Sequence, residues 1–153
     1  MNADKNQFMA FFELSTPRDM LEKAKREYTK LQQQWDIDNV FNFFVTARHI
    51  KDYIEGTKVV EKTVLDDFLA DQDLKDCQYL CDKGKHLKLD NKNFPNHLTT
   101  IWDGSINGAP INAIAINGNA KWVLINRDRE VDVKWLAERV LAKWEKFFST
   151  HGL

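Results

Sequence analysis

Apolar residues recur at steps of three and four along most of the chain, the spacing of amphipathic helices. Leu21, Ala24, Tyr28, Leu31 and Trp35 share one side of a helix expected over about 17–35. Thr16 is suited to cap it, Pro17 to open it, and Asp19 to meet its unsatisfied amides. Asp36 or Asp38 can cap a second helix, over about 39–55. Val40, Phe43, Ala47, Ile50 and Ile54 form one stripe on it, and Phe41, Val45, His49 and Tyr53 a second row nearly opposite. A helix apolar on two sides is expected to be sandwiched, so this one should be the centre of a bundle. Gly56 is expected to end it.

Thr63 is read as the cap of a short helix over about 64–70, carrying Leu65, Phe68 and Leu69. A longer helix over about 73–87 turns Leu74, Cys77, Cys81 and Gly84 inward. Glycine there costs about 1 kcal/mol against alanine, which points to a close helix crossing. After Asp90 the period changes. Residues 91–95 read as loop, and short β-type runs follow at 98–102, 111–116 and 121–125. They are separated by Asp103-Gly104, Asn107-Gly108 and Asn117-Gly118, and the last pair predicts a tight hairpin. Arg127-Asp128-Arg129 turns the chain once more. Asp132 then caps a final helix over about 133–148, with Val133, Leu136, Val140, Trp144 and Phe147 inward and Leu141 and Phe148 flanking. The fold class expected is α+β, mainly α: a four- to five-helix up-and-down bundle with a small antiparallel sheet at about 98–126, before the last helix.

The chain of 153 residues is expected to make a single domain over 1–153, with 43% apolar side chains to fill one core. With 22 basic and 23 acidic residues the net charge is -1, which excludes a generally basic nucleic-acid coat but not a local patch. Five Trp and ten Phe against six Gly and three Pro exclude a disordered or collagen-like chain. The apolar runs are too short to span a bilayer, and the N-terminal segment does not resemble a signal peptide. Cys77 and Cys81, spaced by four, share a helical face and read as two buried thiols; C-x-x-x-C is not a usual zinc spacing. A cytoplasmic protein without metal or cofactor is expected.

Three constellations carry chemistry. Asp82 and His86, four apart with Tyr79 beside them, would meet on an outer helical face, where a carboxylate can orient an imidazole for acid–base work. The plain alternative is a solvated pair at a helix end, favoured by the dipole. Lys83, Lys85, His86, Lys88 and Lys92 are a local cationic run that could meet phosphate, diluted by Asp82 and Asp90. In Arg48-His49, the histidine lies in an apolar row and reads either as a hydrogen-bonded core residue or as a ligand contact. Arg48 lies about 100° round the helix, at a cleft edge or snorkelling to solvent.

The segment Phe41-Asn42-Phe43-Phe44-Val45-Thr46-Ala47-Arg48-His49-Ile50-Lys51-Asp52-Tyr53 resembles the FNFFVTA-x-H-L-x-D-W signature of a family of small, uncharacterised bacterial proteins. Gly84-Lys85-His86-Leu87 resembles that family's GAKHF-like motif. Lys121 to Asn126 resemble its β-hairpin, and Trp144-Glu145 the end of its last helix. More distantly the chain resembles the HEPN domains, four-helix bundles that often act as metal-independent ribonucleases in toxin–antitoxin and phage-defence systems. That resemblance implies an active helix with Arg, a polar residue and then His. Aligned on His86, Asp82 takes the polar position and Cys81 that of the arginine, so the guanidinium that would steady a developing phosphorane is missing, unless Arg48 or Lys85 supplies a charge.

The leading expectation is a HEPN-like binding module with a protein or RNA partner, dimerising through the polar face of the 73–87 helix. Its binding residues would be Lys83, Lys85, Lys88, His49 and Tyr79. The alternatives are a metal-independent ribonuclease, with His86 as acid/base, Asp82 orienting it and Lys85 or Arg48 on phosphate, and a phage or mobile-element protein that blocks a host defence factor by surface contact.

Overall fold

The computed structural model describes residues 10–86, 97–102, 120–126 and 129–153. Among them are five helices, α1 (Pro17–Gln33), α2 (Ile37–Thr57), α3 (Lys62–Leu69), α4 (Gln72–Lys85) and α5 (Val133–His151). Three strands, β1 (His97–Trp102), β2 (Lys121–Asn126) and β3 (Arg129–Asp132), precede α5. None of these helices is long and apolar enough to cross a membrane.

The local chemistry explains most boundaries. Thr16 and Asp19 cap α1 reciprocally: the Thr16 hydroxyl accepts from the Asp19 amide at 3.1 Å, and the Asp19 carboxylate accepts from the Thr16 amide at 2.9 Å. Asp36 accepts from the Asn39 amide and starts α2. Two boundaries differ from expectation. Gly56 lies inside α2, and the helix ends instead on Lys58, which takes the left-handed conformation at φ 55 and donates its amide to the Ile54 carbonyl. Thr63 lies inside α3, whose N-cap is Glu61 without a side-chain bond. The α4 cap is Asp71, accepting from the amides of Asp73 and Leu74.

α2 is the hub. It packs against α1, α4 and α5, and Val40, Phe43, Phe44, Ala47, Ile50 and Ile54 are all buried. Each large side chain so buried contributes about 1.5–3 kcal/mol. The second row is less enclosed than expected: Phe41 is 40% exposed, and Val45, His49 and Tyr53 are half-buried. On α5 the expected inward residues are buried, as are Leu141 and Phe148.

The sheet is antiparallel in the order β1-β2-β3. Leu98 faces Ile125 and Thr100 faces Val123 across β1 and β2, while Leu124 faces Val131 across β2 and β3. β2 and β3 pack on α5, with Leu124 and Val131 in the buried core. The antiparallel partner preceding β2 is thus His97–Trp102. The run at 111–116 that was expected to pair with it lies outside the described residues, with its Asn117-Gly118 turn. Also outside them are Leu87, Lys88, Asp90, the 91–95 loop with Lys92, the turns at Asp103-Gly104 and Asn107-Gly108, and Arg127-Asp128. Arg129 opens β3 instead of completing a turn. β3 escaped notice because four residues with one buried apolar side chain carry too little alternation to register.

Ion pairs tie these parts together. Arg129 holds Asp76 through two bonds of 2.8 and 2.7 Å, fixing the sheet to α4. Arg139 and Lys143 on α5 grip Asp73, and Lys143 also grips Asp71.

Candidate functional site

The expected site straddles the crossing of α2 and α4. Two small side chains let the helices approach there. Cys77 is buried and its thiol donates to the Phe44 carbonyl at 3.8 Å, and Cys81 is buried one turn on. Burial pushes the Cys81 thiol up to about 11 and Cys77 further still; neighbouring cations oppose this, Arg48 at both thiols and Lys85 at Cys81. Arg48 and Lys85, on different helices, thus both bear electrostatically on Cys81.

His49 joins them. Its Nδ1 lies 2.6 Å from the Val45 carbonyl, which can only accept, so Nδ1 donates. That bond fixes the ring and leaves Nε2 to accept from the Lys85 ammonium at 3.4 Å. The Asp52 carboxylate lies 3.8 Å from Nε2, but it is also held by Lys51 at 3.1 Å. Among the described residues Arg48 makes no hydrogen bond or ion pair, so none of them takes up its five donors. Arg48, half-buried, and Lys85, exposed, are cations suited to an oxyanion, and His49 accepts from the Lys85 ammonium.

The other expected site residues fall differently. His86 is exposed and has left the helix, with φ -128, and only its amide reaches back to the Asp82 carbonyl. Among the described residues no side-chain bond joins its ring to Asp82. Tyr79, expected on the outer face, is 2% exposed and packs in the core, where burial raises its hydroxyl pKa. Gly84 is exposed, not inward. A Cβ placed on it would meet the Phe41 ring at 2.9 Å, so the close approach expected there is made by that ring. Lys83 lines a groove of about 690 Å³ with Phe41, Leu80, Gly84, Ile101 and Trp122. Lys88 lies outside the described residues. Among the described residues no three His, Cys, Asp or Glu side chains are grouped to hold a metal ion.

One feature was missed from sequence. Tyr28, Trp35, Trp122 and Trp135 line a cleft of about 600 Å³ between α1, β2 and the start of α5. Trp35 and Trp122 meet edge to face, centroids 5.7 Å apart at 84°. The signal was the number of tryptophans: five in 153 residues, of which three take part in this cleft.

Compared with protein-family models, curated proteins and solved structures, the chain matches none.

Proposed function

We propose that this protein is a helical RNA-binding module that holds the phosphate backbone at the crossing of α2 and α4, in keeping with the distant HEPN resemblance. One observation carries the reading: the Lys85 ammonium of α4 reaches His49 of α2, whose neighbour in the chain, Arg48, makes no hydrogen bond or ion pair with any described residue. An arginine fork and a lysine ammonium are the groups that phosphate contacts use. Lys83 extends the cationic edge along α4 towards the apolar groove. With a net charge of -1, binding rests on this local patch and weakens steeply with salt. Docking of a second copy against the outer face of α4 belongs to the same reading, and the mass in solution tests it.

The test is a gel-shift titration of total cellular RNA at low salt. Wild type retards the RNA, and Arg48→Ala with Lys85→Ala does not. Absence of a shift by wild type, with one host protein co-purifying tightly, would replace this reading with a surface blocker of that protein.

A second reading, cleavage of the bound RNA without metal, has one observation in its favour. His49 has a ring fixed by the Val45 carbonyl, and its Nε2 faces the Lys85 ammonium. Incubation in chelator decides it. RNA that stays intact over hours removes the nuclease reading, whereas products absent in His49→Ala establish it.

A further inference from the structure

We infer that the nucleic acid is single-stranded, with unpaired bases stacking in the aromatic cleft formed by Trp35, Trp122 and Trp135. This inference rests on the RNA-binding reading and adds to it a second, separate contact surface. Trp135 stands on the first turn of α5, is 56% exposed, and makes no ring contact with any described residue. A large apolar ring so exposed gives up hydrophobic stabilisation, and no ring among the described residues packs on it. The Trp35 and Trp122 pair lines the same cleft, so three indoles contribute to its surface. Every base offers a flat π-face to such walls, whereas paired bases in a duplex are already stacked on each other.

The charges at the cleft distinguish a nucleic acid from other ligands that stack on tryptophan. Lys121 and Lys134 line it. Lys134 has no ion-pair partner among the described residues, and Lys121 is shared with Glu130 at 3.0 Å. The one carboxylate in the lining, Asp132, is engaged with the Lys134 amide at 2.9 Å as the cap of α5. A neutral sugar or a proline-rich peptide requires no ammonium groups beside the rings, whereas a strand that places bases on the indoles brings phosphates to the lysines. Trp122 also lines the groove that Lys83 and Phe41 share. Trp122 is thus shared between the cleft and the groove that reaches Lys83 on α4.

Tryptophan fluorescence with an oligoadenylate of about 12 nucleotides tests this directly. Wild type is quenched on binding and holds the single strand at least about tenfold more tightly than a duplex of the same length. Trp135→Ala, an exposed position whose fold is checked by circular dichroism, loses about tenfold in affinity for the single strand, the loss of one stacked base. It keeps the weak duplex affinity. If Trp135→Ala binds the single strand as wild type does, or if wild type prefers the duplex, the cleft does not stack bases, while the phosphate contact by Arg48 and Lys85 stands. If a proline-rich peptide quenches wild type and the oligoadenylate does not, the cleft belongs to a peptide. If wild type binds no nucleic acid of either form, the RNA-binding reading fails and this inference fails with it.

Discussion

Arg129 on β3 grips Asp76 on α4 through two short bonds, and the two ends of that pair differ sharply in exposure. The Asp76 side chain is 1% exposed and that of Arg129 is 39% exposed. Asp76 has one further donor, Gln72 Nε2 at 3.0 Å. Arg129→Ala therefore strands a buried carboxylate and is expected to destabilise the fold by about 3 kcal/mol. Asp76→Ala frees a guanidinium that water can reach, and is expected to cost about 2 kcal/mol. Urea unfolding of the two variants gives the order. Equal losses would mean that the carboxylate is hydrated in solution.

Gly84 and Phe41 set up a second test. Alanine at 84 gains about 0.5–1 kcal/mol of helix propensity but pushes its Cβ against the Phe41 ring. In wild type the two effects are expected nearly to cancel. With Phe41→Ala the same change is expected to stabilise by the full amount. A double-mutant cycle in thermal unfolding measures the difference. Additive effects would show that the ring does not rest on Gly84.

Helix boundaries and the α2 core were legible in the sequence because caps and periodicity act locally. Thr16, Asp36 and Asp132 signal their helices through their own side chains, and Val40, Phe43, Ala47 and Ile50 through spacing alone. The site was half legible. Arg48, His49 and Lys85 were each singled out, but the approach of Lys85 to His49 depends on how α2 crosses α4, which no local pattern encodes. Asp82 and His86 read as sharing one helical face, and in the structure the helix ends at Lys85 with His86 as its C-cap. The aromatic cleft was hidden because Trp35 and Trp122 also fit a helix stripe and a strand, so they read as core.

Three carboxylates make the fold sensitive to acid. Ser15 and Thr16 hold Asp19 below its ordinary value through hydrogen bonds. Burial would raise Asp73, but Arg139 and Lys143 outweigh it; burial would likewise raise Glu27, and Lys23 and Lys30 outweigh it. Groups with lowered native pKa stabilise the fold fully above their ordinary values, 3.8 for Asp and 4.5 for Glu, and this is lost as pH falls through the native values. The melting temperature is expected to hold down to about pH 5 and then to drop. Asp73→Asn should flatten that drop. An unchanged profile in the variant would show that Asp73 titrates normally.

Burial also protects both thiols. With its thiol raised to about 11, Cys81 carries little thiolate near neutrality, and Cys77 less. Iodoacetamide is expected to label neither in the native protein and both in urea, as read by mass spectrometry. Rapid native labelling of Cys81 would mean that the crossing of α2 and α4 opens in solution.

The most direct measurement of the binding claim is the salt dependence of single-stranded RNA affinity, for wild type and for Arg48→Ala with Lys85→Ala. Each phosphate contact contributes about 0.7 to the slope of log K against log salt. Removing two cations that touch phosphate is expected to lower the slope by about 1.4 and to weaken binding most at low salt. Equal slopes for the two proteins would contradict the assignment of Arg48 and Lys85 as the phosphate contacts.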